Sequence, residues 1–352
     1  MQIIRNVMGF SRVILKWYAV NKRSLPWRKT RNPYFIWLSE IILQQTRVVQ
    51  GIPYYLKFVE RFPTIGDLAA ASEGEVLKLW QGLGYYSRAR NLHATAKTVT
   101  DKYGGVFPDT FEGLLKLKGV GDYTASALAS ICFNIPKAVV DGNVYRVLAR
   151  YYGVDLPIDS SEGKRYFKDL ANKVMDSSNI RDYNQGIMEF GAIQCTPKNP
   201  DCNVCPLKTD CVALATNKID RLPVKMGKNK IRNRYFNYLV VLDGNNKTLL
   251  RQRTGNGIWQ NLYEFPLLES EGEIGVDEVV KKLKEVVAVE EPPEVYLYNE
   301  GKVVHKLSHQ HLHTWFWIVY SDTKLENSIP ISDLHHYPVP VLIADFINTF
   351  KI

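Results

Sequence analysis

At 352 residues with 45% hydrophobic content, the chain is long enough for two or three domains with separate cores. Forty-five Lys and Arg against 36 Asp and Glu leave a formal charge of +9, which suits an acidic partner such as nucleic acid without specifying one. The longest apolar runs, such as Trp315–Tyr320, fall far short of the roughly 20 residues of a bilayer helix. The first residues do not resemble an export signal, so a cytoplasmic protein without membrane association is expected.

From residue 1 to about 215 the periodicity is helical, and an all-α region is expected. Met1–Arg23 mixes Arg5, Arg12, Lys16 and Lys22 with apolar residues at helical spacing and reads as an amphipathic helix. Further helices are predicted over Phe35–Tyr55, Glu73–Gly82, Tyr86–Tyr103, Thr110–Lys118 and Tyr123–Phe133, with boundaries at prolines and at the glycine pairs Gly82/Gly84 and Gly119/Gly121. Two stretches interleave aromatic and basic residues, Leu25-Pro26-Trp27-Arg28 and Gly84-Tyr85-Tyr86-Ser87-Arg88-Ala89-Arg90. Either is core packing, or rings stacking on bases beside arginines that neutralise phosphates.

Glu40 stands in the apolar stretch Phe35–Leu43, with Gln44 and Gln45 continuing a polar stripe. It either faces water or is buried with a raised pKa, and in the second case it can serve as a general acid near neutrality. Lys118-Gly119-Val120-Gly121 precedes a predicted helix. A tight Gly-Val-Gly turn there is a helix–helix joint, or a nest of backbone N–H groups for a phosphate, as in a helix-hairpin-helix grip on DNA. Asp141 lies at the mouth of a helix predicted over Val144–Tyr152. Asp141 is either the cap of that helix or, since Asn143 can cap it by itself, an ionised stabiliser or nucleophile.

Cys195, Cys202, Cys205 and Cys211 follow as C-x6-C-x2-C-x5-C, with Cys132 the one other cysteine. Four thiolates in a proline-rich loop suit a metal centre. The single C-x2-C favours an iron–sulfur cluster over zinc, and two disulfides are the remaining reading. Residues 216–234 are basic and poorly periodic, and read as a linker. Strands are then expected over Tyr235–Leu242, Lys247–Arg253, Val295–Tyr298 and Trp315–Tyr320, with a helix over Val276–Val289, giving a separate α+β domain over 235–352. His305, His309, His311 and His313 alternate at period two, as on a polar strand face.

In order along the chain, W-L-S-E-x-x-L-Q-Q-T, G-L-G-Y-Y-x-R-A-R-N-L, L-x-G-V-G-x-Y-T-A, V-x-D-G-N-V-x-R-V-L-A-R and the cysteine loop resemble the MutY family of adenine DNA glycosylases. The resemblance implies a helix-hairpin-helix glycosylase over 1–215, built from a six-helix-barrel subdomain at about 25–135 and an iron–sulfur subdomain of the N-terminal helix with 136–215. It also implies a [4Fe–4S] cluster on Cys195, Cys202, Cys205 and Cys211, and a MutT-like (Nudix) domain over 235–352. The implied partner is double-stranded DNA carrying A:8-oxoguanine or A:G mismatches, acted on by a monomer associated with the nucleoid of a bacterial-type cell. The implied reaction is extrusion of adenine and hydrolysis of its glycosidic bond, which starts base excision repair.

Carried over by the resemblance, Glu40 protonates the leaving adenine and Asp141 stabilises or traps the sugar cation, with Tyr123 and Asn143 in support. Trp27, Arg28 and Gln185 line the adenine pocket, where Gln185 replaces an acid of some relatives. Gln45 and Tyr85 wedge into the duplex, and Arg88, Gly119, Val120 and Gly121 grip DNA. Leu307-Ser308-His309 matches a Phe-Ser-His loop that senses 8-oxoguanine. Gly257–Pro266 is similar to the strand entering a Nudix box, but the box glutamates are absent, so no magnesium site and no pyrophosphatase activity are implied. Tyr123 cannot form the Schiff base of the lysine found in endonuclease III, so a glycosylase without lyase activity is expected. The competing readings are a pyrimidine-specific glycosylase–lyase of the endonuclease III type and a non-catalytic, redox-sensing DNA-binding protein.

Overall fold

The structure is a computed structural model that describes residues 7–227, 231–289, 294–321 and 325–350. The start of the predicted N-terminal helix, 1–6, and Lys228–Lys230 of the predicted linker lie outside the described residues. The chain divides into two compact units, Met1–Ala70 with Asn91–Gly227, and Ala71–Arg90 with Lys228–Ile352.

The helical elements in chain order are α1 (Val7–Asn21), a 3-10 turn (Pro26–Lys29), α2 (Pro33–Leu43), α3 (Val48–Arg61), α4 (Ile65–Ala70), α5 (Glu73–Trp80), α6 (Ser87–Tyr103), α7 (Phe111–Leu115), α8 (Asp122–Phe133), α9 (Gly142–Tyr152), α10 (Ser161–Val174), α11 (Ile180–Ile193) and α12 (Val212–Ala215). Of these, α5 and the first turn of α6 belong to the second unit. The helix predicted over Phe35–Tyr55 is two helices. Asn32 caps α2 by accepting from Tyr34 N at 2.9 Å, and Pro33 occupies the first turn, where its missing N–H costs nothing. The chain then leaves the helix at Gln44, and Gln45 takes a left-handed φ of 56° before α3 begins.

Helix α2 is buried almost all round, with Trp37 fully enclosed, and it packs on α8. Truncating so large a core side chain typically costs about 3–5 kcal/mol. Close approach is possible because α8 is lined with small residues, Ala125, Ser126, Ala127, Ala129 and Ser130. Helix α11 packs on α1, α8 and α9. Its glycines permit this: a Cβ on Gly186 would meet Ile14 and Tyr18 of α1, and a Cβ on Gly191 would fall 2.6 Å from Asn143 Cβ.

The cysteine loop corrects an expectation. Among the described residues no group of three or more His, Cys, Asp or Glu side chains is placed to hold a metal ion, so the [4Fe–4S] cluster on Cys195, Cys202, Cys205 and Cys211 drops out of the fold, as does its iron–sulfur loop. All five cysteines are free thiols. Burial raises Cys202, Cys205 and Cys211, Cys205 to about 11, and the neighbouring thiols add to the rise. What orders the loop is arginine chemistry from α9. Arg150 donates to Thr196 O at 2.7 Å, Pro197 O at 3.1 Å and Cys195 Sγ at 3.4 Å, and Arg146 donates to Cys195 O at 2.7 Å.

The second unit is built on the strands β1 (Arg232–Asp243), β2 (Lys247–Thr248), β3 (Arg251–Gln252), β4 (Tyr263–Glu264), β5 (Leu267–Ser270), β6 (Glu294–Leu297), β7 (Val303–Lys306), β8 (Gln310–Ser321) and β9 (Ile329–Pro330), with helices α13 (Val276–Val286) and α14 (Val341–Thr349). Strands β1 and β8 run parallel at the centre, in register from Arg232–Gln310 to Asp243–Ser321. Antiparallel β2 and β5 join β1, β6 and β7 join β8, and β9 extends the sheet from β2. Alternation on the central pair serves two layers. Leu239, Val241, Trp315, Trp317 and Val319 form a core with Val279 and Leu283 of α13, while Phe316 stacks on Phe346 of α14 at 4.2 Å. The single strand predicted over Lys247–Arg253 is two short ones, because β3 leaves the main sheet to pair with β4. The four histidines do not share a strand: His305 lies on β7, His309 in the turn after it, and His311 and His313 on β8.

Candidate active site

In the first unit three elements bring acidic and phenolic groups together. Glu40 comes from α2 and Tyr123 from the first turn of α8, and Asp141 heads α9. Burial pushes the Glu40 carboxyl up to about 7, and the nearby Asp141 adds to the rise. A hydrogen bond with Tyr123 and the Arg28 cation oppose it. The stretch that could have placed Glu40 toward water therefore buries it. Burial, then Glu40 and Asp141, also raise the Tyr123 phenol well above its ordinary value, and its hydroxyl lies 3.2 Å from Met188 Sδ of α11.

Asp141 itself, and not Asn143, caps α9. Its Oδ1 accepts from Asn143 N at 3.0 Å and Val144 N at 2.8 Å, and its Oδ2 accepts from Asn143 Nδ2 at 2.8 Å. The helix consequently starts at Gly142, two residues earlier than predicted. Asn143 Oδ1 in turn accepts from Arg146 Nη2 at 2.9 Å, and Arg146 is anchored to Gly191 O at 2.6 Å. Burial raises the Asp141 carboxyl, a rise that these three donors and the Arg146 charge only partly offset. Two neighbouring acids thus sit in unlike surroundings: Glu40 in an apolar helix favours its proton, and Asp141 at a helix N-terminus is surrounded by donors to its anion.

The 3-10 turn carries Trp27 and Arg28. Trp27 is buried edge-on against Tyr55 at 5.2 Å. Arg28 lies over the Tyr18 ring at 5.5 Å and donates both Nη atoms to Glu189, at 3.1 and 2.8 Å. Glu189 is 1% exposed and also takes Arg23 N, Nε and Nη2 at 3.0, 2.7 and 2.7 Å. Although burial works against it, these donors hold its carboxyl down to about 2. Arg28, Gln185, Arg31, Arg181 and Tyr18 line one basic cavity of about 460 Å³. Sequence reasoning missed Glu189. The available signal was a lone acid in Ile187-Met188-Glu189-Phe190, one helical turn after Gln185.

The hairpin turn precedes Tyr123 on the same helix. Gly119 has a left-handed φ of 77° and lies against Asn91, Val120 is buried, and Gly121 is the cap residue of α8. Gln45, exposed, and Tyr85, half-exposed, both hold left-handed φ values, 56° and 50°. Such backbone typically costs of order 1–3 kcal/mol for a residue other than glycine and collects at functional positions.

Tyr85 belongs to the second unit, as does Arg88. Arg88 is buried over Trp80, and its Nη2 donates to Leu83 O at 3.2 Å and Gly84 O at 3.0 Å, so it braces the turn that presents Tyr85. In the same unit a cavity of about 450 Å³ is lined by Tyr85, Arg90, Trp259, Leu307, Ser308 and His309. The loop bearing the last three is closed by Leu307 N donating to Gln310 O at 2.8 Å, and Ser308 Oγ lies 3.3 Å from His309 Nδ1.

Residues 38–173 match the family described as HhH-GPD superfamily base excision DNA repair protein, and residues 237–349 match the NUDIX domain. The adenine DNA glycosylase of Buchnera aphidicola subsp. Baizongia pistaciae is 36% identical over 318 residues, covering 88% of this chain and 86% of that protein. The adenine DNA glycosylase of Rattus norvegicus is also 36% identical, over 94% of this chain and 73% of its own length. Among solved structures, that of a thermostable thymine-DNA glycosylase superposes with a TM-score of 0.56 at 31% identity, covering 60% of this chain and 97% of that one. With relatives that similar over most of both sequences, the chain belongs to the adenine DNA glycosylase family.

Proposed function

We propose that the chain extrudes adenine mispaired with 8-oxoguanine or guanine from duplex DNA and hydrolyses its N-glycosidic bond without cutting the strand. The observation that carries this reading is the buried Glu40 carboxyl, which keeps its proton close to neutrality beside Asp141. Glu40 gives that proton to a ring nitrogen of the flipped base as the sugar–base bond breaks and the bonding pair leaves with adenine. The Asp141 carboxylate faces the positive charge left on the sugar, as one member of a carboxylate pair does at other glycosidic centres. Water adds to the sugar carbon and returns a proton to Glu40. Arg28, Trp27 and Gln185 line the base pocket, Gln45 and Tyr85 wedge the duplex, and Ser308 and His309 read the opposite base. We place the activity in a single chain on nucleoid DNA in the cytoplasm of a bacterial-type cell. Among the described residues no helix is long and apolar enough to cross a membrane.

The absence of lyase activity follows from Tyr123, a phenol where covalent attack on the sugar needs an amine. Incubation with an A:8-oxoguanine duplex should leave an abasic site that breaks only after alkali. Efficient borohydride trapping of a protein–DNA adduct would count against this reading.

A further inference from the structure

We propose that Glu189 is a positioning residue: by gripping the Arg28 guanidinium in a two-pronged hydrogen bond, it sets where that cation stands and how strongly its charge bears on Glu40. The inference rests on the reading of Glu40 as the acid that protonates the base.

Glu189 is buried, yet it spends both carboxylate oxygens on Arg23 and Arg28. An isolated fork of this kind would be a structural ion pair, and burying it gains little stability by itself. Here one of the two cations has a second neighbour. The groups that face Glu40 are Tyr123 from α8, Asp141 at the head of α9 and Arg28 from the 3-10 turn, with Cys132 of α8 within electrostatic range. Of these, Arg28 is the only cation, and the Glu189 carboxylate neutralises much of its field. Arg28 has further fixings that do not involve Glu189, the Tyr18 ring at 5.5 Å and Arg23 O at 3.1 Å. Removing the Glu189 charge while keeping an amide there should therefore leave Arg28 near its place with its charge less compensated. Glu40 would then lose its proton at a lower pH.

The test is single-turnover adenine release from an A:8-oxoguanine duplex across pH 5.5–9 for the full chain, Glu189→Gln, Arg28→Gln and the double variant. The pH at which the rate falls by half on the alkaline side should move down in Glu189→Gln by about 1 unit, and the rate at pH 7.5 should drop by about eightfold. In the Arg28→Gln background the same change should cost less than about threefold, because the effect passes through Arg28. An alkaline limb that stays in place or moves up, or penalties that multiply in the double variant, would overturn the inference. So would a loss of melting temperature with an unshifted limb, since that marks a merely structural ion pair. If the unmodified chain released no adenine, the functional reading would fail and this inference with it. Adenine release by the unmodified chain with an unshifted limb in the variant sinks the inference alone.

Discussion

Glu40→Gln is expected to reduce single-turnover adenine release by roughly three orders of magnitude while leaving affinity for the mismatched duplex within a few-fold. An amide fills the same space on α2 and keeps a partner for Tyr123, so the fold has no reason to fail. What it lacks is a proton to give. The loss corresponds to about 4 kcal/mol of transition-state stabilisation. The same residue fixes the pH dependence. Because burial raises the Glu40 carboxyl to about 7, the productive protonated form dominates below that value and is lost as pH rises through it. The wild-type rate should fall on the alkaline side with a midpoint near 7, and Glu40→Gln should retain no such limb. A variant that excises adenine at the wild-type rate would remove Glu40 from the chemistry.

Asp141 should separate catalysis from stability. Asp141→Asn keeps an acceptor for Asn143 N and Val144 N, and asparagine caps helices about as well as aspartate. Thermal stability should stay within ~0.5 kcal/mol of wild type, while adenine release falls by about two to three orders of magnitude because the charge facing the sugar cation is gone. Asp141→Ala should lose both activity and, through the missing cap, about 1 kcal/mol of stability. Equal activity in Asp141→Asn and wild type would reduce Asp141 to a cap, which is the simpler role its hydrogen bonds suggest. Calorimetry and base release on the same preparations distinguish the two.

How far the sequence revealed this site depends on whether the determining contacts are local. The helical region, the strands β1 and β8 and the helix α13 were legible because burial on one or two faces leaves a period in the apolar residues. Glu40 was legible as an anomaly, an acid in an apolar helix, but its burial is decided by α8, which meets α2 across the core. The break at Gln44–Gln45 was not legible, since no glycine or proline marks it and Gln45 takes a left-handed φ that glycine would ordinarily supply. Which of Asp141 and Asn143 caps α9 is open in the sequence, because the apolar pattern starts the helix only at Val144. With Gly142 as its first residue, Asp141 takes the cap and Asn143 supports it. Glu189 was hidden for another reason: its partners Arg23 and Arg28 lie about 160 positions away in the chain. The cysteine loop shows the converse failure. Its spacing suits a metal centre, yet the described residues contain no group placed to hold a metal, and Arg146 and Arg150 order the loop. The reading of a non-catalytic redox sensor rested on that cluster and goes with it.

The most direct test is base release by the full chain from three duplexes that differ at one pair: A:8-oxoguanine, A:G and thymine glycol opposite A. Free adenine from the first two, faster from A:8-oxoguanine, with the thymine glycol left in place, is the predicted result. Release of the oxidised pyrimidine while mispaired adenine stays in the strand would contradict the account.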